Sequence, residues 1–125
     1  MLRVCKKMMG KRSKEKTYAQ IFRMDMQNLR ETQDTNSQET KEHVINAIIL
    51  APRIGFIGYR TSRAIAYLLY YYLSRVRKDC EFLNSGDNLS NQLIHFGPGD
   101  LLIALSFPRY ARETIEVLKY GKRMG

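Results

Sequence analysis

Two short segments carry side chains suited to holding an anion. In the first, Gly58-Tyr59-Arg60-Thr61-Ser62, Gly58 permits a tight turn. The hydroxyls of Thr61 and Ser62, with the backbone N–H groups of Thr61, Ser62 and Arg63, suit a negative group at a helix N-terminus. In the second, Ser106-Phe107-Pro108-Arg109-Tyr110, Ser106 brings a donor hydroxyl and Arg109 a fixed positive charge that matches phosphate. A phosphate held between the two segments by Gly58, Thr61, Ser62, Ser106 and Arg109 is the chemistry these residues predict. Each segment also has a plain structural reading. Thr61 or Ser62 serves as a helix cap, and residues 106–116 form a Pro-containing turn followed by a helix with Arg112 and Glu116 paired four residues apart.

The remaining reactive types are poorly placed for catalysis. His43 and His95 have no Cys, Asp or Glu at metal-ligand spacing, so both read as solvated or satisfied histidines. Cys5 and Cys80 lie far apart and suggest neither a disulfide frame nor a metal knuckle, but ordinary thiols in a reducing cytoplasm. The chain has no Gly-rich loop ending in Gly-Lys-Ser/Thr and no serine elbow flanked by glycines. No catalytic residue, metal or cofactor is expected.

Both segments need rigid elements to aim them. Residues 53–59 are an apolar run of strand length, followed after Thr61-Ser62 by a helix over residues 63–77. Residues 79–84 alternate as a strand does, and a short helix follows over 88–96. Gly97-Pro98-Gly99-Asp100 is a strong turn signal. It leads into Leu101-Leu102-Ile103-Ala104-Leu105, an apolar run expected of a strand buried on both faces, and then a helix over 110–123. Strands alternating with helices imply a parallel sheet with right-handed crossovers, so the fold class is α/β. In such a sheet ligands bind beyond the carboxyl ends of the strands, where both anion-binding segments lie. The apolar stretch 64–73 reads as a buried helix, and in Tyr70-Tyr71-Tyr72 one or two rings must pack while the others face out.

Ahead of these units, Val44, Ile45, Ile48 and Ile49 recur at helical spacing from about Glu39 until Pro52 ends the element. Residues 15–30 read as another helix, running into the polar stretch 31–38, either a linker or the exposed end of a longer helix. Residues 2–9 suggest a short basic helix stopped by Gly10. The chain of 125 residues has room for one core and an appendage.

Its net charge of +9 is unevenly spread. Residues 1–24 hold eight Lys and Arg against one Glu, residues 25–52 two against five acidic residues, and residues 53–125 eleven against six. The terminal cluster suggests a nucleic-acid footprint, with Arg3, Lys6 and Lys7 as DNA-contacting candidates. No apolar segment is long enough to span a bilayer or to act as a signal peptide, so no membrane role is expected and a cytoplasmic location is.

Taken jointly, residues 53–62 with the apolar helix after them, Asn84-Ser85, Gly97-Pro98-Gly99-Asp100 running into residues 101–106, and above all Ser106-Phe107-Pro108-Arg109-Tyr110 followed by Arg112-Glu113-Thr114 resemble the sugar-phosphate-binding SIS domain of RpiR-type bacterial transcriptional regulators. The resemblance covers about 80 residues, and residues 2–7 are similar to the end of the family's recognition helix. It implies a flavodoxin-like three-layer fold, here a partial one with a short sheet of three parallel strands preceded by helices. Residues 1–30 would be the remnant of a helix-turn-helix DNA-binding domain, 31–45 a linker or helix, and 46–125 an incomplete SIS domain.

The resemblance maps Ser62 onto the serine of the first phosphate loop and Ser106 onto the first serine of the second. Where the general second loop reads Ser-x-Ser-Gly-x-Thr, this chain has Pro108, Arg109 and Ala111 in place of the later Ser, Gly and Thr. The implied function is sensing of a phosphorylated sugar by a homo-oligomeric regulator of carbohydrate metabolism that binds DNA in its full-length form. A SIS-fold sugar-phosphate isomerase is the alternative.

Overall fold

The structure, a computed structural model, describes residues 11–84, 86, 88–108 and 112–125, with side chains from Lys16 onward. Arg3, Lys6, Lys7 and the short helix expected over residues 2–9 lie outside the described residues. The chain divides into two compact units, Met1–His43 and Val44–Gly125.

Helix α1 runs over Lys11–Thr35 in the first unit, and α2 runs over Gln38–Leu50, its residues from Val44 on belonging to the second unit. The polar stretch after Arg30 is therefore the end of a longer helix. Local side-chain bonds suit it to that conformation: Gln27 Nε2 donates to Glu31 Oε1 at 2.8 Å, and the hydroxyls of Thr32 and Thr35 donate to the carbonyls four residues back. Ser37 starts α2, its Oγ accepting the Thr40 N–H at 3.1 Å as an N-cap residue does. Tyr18, Phe22 and Leu29 on α1 are exposed.

The second unit contains β1 (Ile54–Gly58), α3 (Ser62–Ser74), β2 (Cys80–Phe82), α4 (Leu89–Leu93), β3 (Leu101–Leu105) and α5 (Arg112–Met124). The three strands form one parallel sheet in the order β2-β1-β3. Every residue of the central β1 is buried. Successive side chains of a strand point to opposite faces, and here they build two cores. Ile54 and Phe56 pack with Ala51, Ile48, Tyr70 and Leu73, the layer of α2 and α3. Ile57 packs with Leu83, Leu93 and Val117, the layer of α4 and α5. The architecture is the expected α/β one, a short three-stranded parallel sheet between helices and preceded by helices.

Two polar devices close its edges. The Arg77 guanidinium, just beyond α3, donates to the carbonyls of Ile48, Ile49 and Ala51 at the end of α2. It thus places positive charge where a helix exposes unpaired carbonyls. Before β3, the Asp100 amide donates to the Gly97 carbonyl at 3.1 Å and its carboxylate accepts the Gly97 N–H at 2.9 Å. Gly99 has φ of 91°, the type II pattern of Pro then Gly, at the place where the sequence carries its strong turn signal.

Two burial expectations are corrected. The helix expected to be buried over residues 64–73 shows one buried stripe: only Ser62 and Ala66 in α3 are buried, whereas Ile65, Leu68 and Tyr72 are 47%, 50% and 63% exposed. The sheet covers one side of α3, and among the described residues nothing covers the other. Of the three tyrosines, Tyr70 packs against Phe56 and Phe82, and Tyr71 and Tyr72 face out. Strand β3, expected to be buried on both faces, is half-buried along its length, because among the described residues it pairs on one edge only, with β1.

One buried group stands against the general rule that interior polar atoms are bonded. Thr114, 3% exposed in the first turn of α5, has a hydroxyl with no hydrogen-bond partner among the described residues. An unmet hydroxyl costs its desolvation, and an apolar group of the same shape removes that cost. Thr114→Val is expected to raise stability by on the order of 1 kcal/mol, read as a higher urea midpoint at unchanged slope. A lower midpoint would mean that the hydroxyl has a partner.

Candidate functional site

Register decides what meets at the carboxyl end of the sheet. Gly58 of β1 pairs with Leu105 of β3, so the chain leaves both strands side by side. The two segments singled out from the sequence become neighbouring loops. Between them lies a cavity of about 220 Å³ lined by residues 59–62 and 106–108. The structure thus brings Thr61, Ser62 and Ser106 to one space, and Gly58 does not line it but immediately precedes its first lining residue, Tyr59. Arg109 lies outside the described residues.

The first loop is tightly wound. A Cβ on Gly58 would stand 2.7 Å from the Ser62 carbonyl oxygen and 2.9 Å from the Arg63 nitrogen, so only glycine lets α3 start this close to the strand. Arg60 has φ of 55°, the one positive value at a non-glycine among the described residues. Backbone strain of this kind concentrates at functional sites.

The hydroxyls differ in what they do. Ser62 Oγ donates to the Tyr59 carbonyl at 2.6 Å and accepts the Tyr59 N–H at 3.1 Å. It is buried and ties the loop. Thr61 occupies the N-cap position but makes no capping bond, and its side chain is exposed beside the cavity it lines. Among the described residues Ser106 Oγ has only a 3.5 Å contact to the Phe107 carbonyl, at the outer limit of bonding, so it can turn to a ligand at little cost. Burial, reinforced by Glu113 and Glu116, pushes the Tyr59 phenol above its ordinary value.

A second, wider groove of about 490 Å³ adjoins the first at Arg60 and is lined also by Arg63, Ala64, Tyr67, Phe82 and Asn84. Arg63 Nη2 donates to Asn84 Oδ1 at 2.8 Å, and its guanidinium lies 5.1 Å from the centre of the Phe82 ring. The Asn84 backbone N–H donates to Gln92 Oε1 at 2.9 Å. Sequence reasoning used only the backbone N–H of Arg63 and assigned no site role to the side chains of Arg60, Arg63 or Asn84. The available signal was topological, since Asn84 follows the carboxyl end of β2, where ligands of parallel sheets bind.

Elsewhere the chemistry is sparse. A cavity of about 200 Å³ sits at the start of β3 and the end of α5, between residues such as Phe96, Leu102 and Leu118. No group of three or more His, Cys, Asp or Glu among the described residues is arranged to hold a metal ion. Burial pushes the Cys80 thiol up, which makes it a packing group rather than a nucleophile. No helix among the described residues is long and apolar enough to cross a membrane.

Comparison with known proteins bears on this arrangement. An uncharacterized HTH-type transcriptional regulator of Thermotoga maritima is 29% identical over 103 residues, 82% of this chain and 36% of the relative. The chain therefore spans about a third of that relative's length. No solved structure matches the chain. The SIS domain family matches residues 47–125, which take in the whole sheet, both loops and both cores, and the chain belongs to the SIS domain family.

Proposed function

We propose that this domain binds a phosphorylated sugar at its two-loop cavity and serves as the effector-sensing part of a DNA-binding, RpiR-type regulator of carbohydrate metabolism. The observation that carries the reading is the Gly58–Leu105 register, which gathers the Thr61, Ser62 and Ser106 hydroxyls around one small cavity. Arg109 follows Pro108 directly and supplies the charge. In this reading Gly58 sets the approach of α3, Ser62 shapes the loop, and Thr61 and Ser106 meet the phosphate oxygens. The Thermotoga relative's description as an HTH-type transcriptional regulator supports the DNA-binding context, in which Arg3, Lys6 and Lys7 contact DNA.

The same reading places residues 1–30 as a helix-turn-helix remnant, 31–45 as the connection and 46–125 as the sensor, working in the cytoplasm without a cofactor. The half-exposed apolar residues of α3 support a homo-oligomer. Sensing is favoured over isomerisation because aldose–ketose isomerisation needs a general base beside the substrate, and among the described residues no Asp, Glu or His lines either adjoining cavity.

The test is thermal unfolding of the chain with a panel of sugar phosphates. A ligand that binds only the folded state at a hundred times its Kd adds about 2.7 kcal/mol of stability. That corresponds to a rise of roughly ten degrees or more for a domain of this size. Ser106→Ala is expected to weaken binding by about 1.5–3 kcal/mol, the worth of a hydrogen bond to a charged group. Adding Ser62→Ala is expected to abolish the shift. A full shift in the double variant would remove the two-loop site from consideration.

A further inference from the structure

We infer that Arg60 is the second cation of the phosphate site, its guanidinium reaching the ligand's phosphate from the mouth of the two-loop cavity. This rests on the phosphate reading above and adds to it the residue through which the first loop supplies charge.

Arg60 combines a strained backbone with an unused charge. Its φ of 55° is a conformation that glycine takes at no steric cost and asparagine at little, whereas an arginine there costs stability. Other arginines of the same unit are anchored in the fold. Arg53 donates to the His95 carbonyl at 2.6 Å, Arg75 to the Tyr71 hydroxyl at 3.1 Å, and Arg77 to the carbonyls at the end of α2. Among the described residues the Arg60 guanidinium makes no hydrogen bond, ion pair or ring contact, and its side chain is exposed. The fold therefore gains nothing from this charge that would offset the strain. Strain that the surrounding fold does not use concentrates at ligand clamps.

The position of Arg60 indicates which ligand group it meets. It lines the cavity together with Thr61, Ser62 and Ser106, and also the wider groove beside it. It thus borders the opening through which a sugar attached to a bound phosphate would extend. The hydroxyls of the cavity are neutral donors. A phosphate monoester carries about 1.5 to 2 negative charges at pH 7, so Arg109 of the second loop leaves about 0.5 to 1 of them unmatched. A cation on the first loop balances that remainder. A guanidinium also presents a planar pair of donors that fits two phosphate oxygens.

The experiment titrates the full chain with glucose 6-phosphate and with inorganic phosphate by calorimetry, beside urea unfolding without ligand. Arg60→Gly and Arg60→Asn remove the charge and suit the left-handed backbone. Both are expected to bind glucose 6-phosphate about ten- to a hundredfold more weakly, the loss of a hydrogen-bonded charge pair. Their urea midpoints are expected to stay level or rise, because the strain is relieved. Arg60→Lys, which keeps the charge and loses the planar fork, is expected to fall between wild type and Arg60→Gly in affinity. A residue that only shaped the loop would instead move midpoint and affinity together, with no rescue by lysine.

Unchanged affinity in Arg60→Gly and Arg60→Asn, with Ser106→Ala still weakening binding, overturns the inference and leaves the phosphate site standing. Lower midpoints in both variants, or an Arg60→Lys chain as weak as Arg60→Gly, overturn the assignment of the effect to the arginine's charge. If the wild-type chain binds neither probe, or if Ser106→Ala and the Arg60 variants all leave binding unchanged, the phosphate reading falls and the inference with it.

Discussion

Phe56→Ala is expected to be the most destabilising single substitution in the sheet, lowering stability by about 3–5 kcal/mol. Phe56 is fully buried at the middle of β1, among the described residues the only strand paired on both sides. Its ring meets Tyr70 edge-on at 5.9 Å and sits in the core formed with Ala51 and Ile54. Truncation removes the transfer energy of the ring and opens a hole between α3 and the sheet. Neither strand can close that hole, because both are held to β1 by ladder bonds. Native domains hold only about 5–15 kcal/mol in all, so the variant stands near the edge of folding. Chemical denaturation measures it against Phe22→Ala on α1, where the ring is 70% exposed and the expected change is within about 0.5 kcal/mol. Equal costs at the two positions would show that the core does not centre on β1.

The contrast between these phenylalanines indicates which features local sequence carries. Element order is visible because each apolar run is bounded by turn chemistry. Gly97 to Asp100 announces β3, and Pro52 ends α2. Depth of burial is not visible. The runs that become β1 and β3 are both apolar, yet β1 is wholly buried and β3 half-buried, because pairing on two edges rather than one depends on residues far apart in the chain. The helix over Ser62–Ser74 misleads for a related reason. It is apolar all round, and with no polar side it gives no sign of which stripe meets the sheet.

The site divides in the same way. That Thr61, Ser62 and Ser106 come to one space was legible because both segments follow strands of one parallel sheet at its carboxyl end. That the Ser62 hydroxyl turns back onto Tyr59 was not legible, since it depends on the left-handed turn at Arg60. Arg63 and Asn84 are 21 residues apart and meet only because β2 lies parallel to β1.

Gly58 connects the fold to the proposed function, and Gly58→Ala is expected to damage ligand binding more than stability. The added Cβ would meet the Ser62 carbonyl oxygen at 2.7 Å, its carbon at 2.8 Å and the Arg63 nitrogen at 2.9 Å. These are backbone atoms, so no rotamer change relieves the clash, and the first turn of α3 must retreat from the end of β1. Overpacking of this kind costs about 1–3 kcal/mol.

The retreat also pulls Ser62 away from Tyr59 and moves Thr61 relative to Ser106, the spacing on which a shared phosphate depends. Sites of this kind tolerate displacements of only about 0.5 Å, so the stabilisation by a sugar phosphate should vanish while a cooperative unfolding transition remains. Gly97→Ala is the matched control. A Cβ there meets nothing within 4 Å and the backbone is not left-handed, so both stability and the ligand-induced shift should persist. If Gly58→Ala retains the shift as fully as Gly97→Ala does, the close approach of α3 to β1 does not set the site, and the phosphate must be held by the Ser106 loop alone.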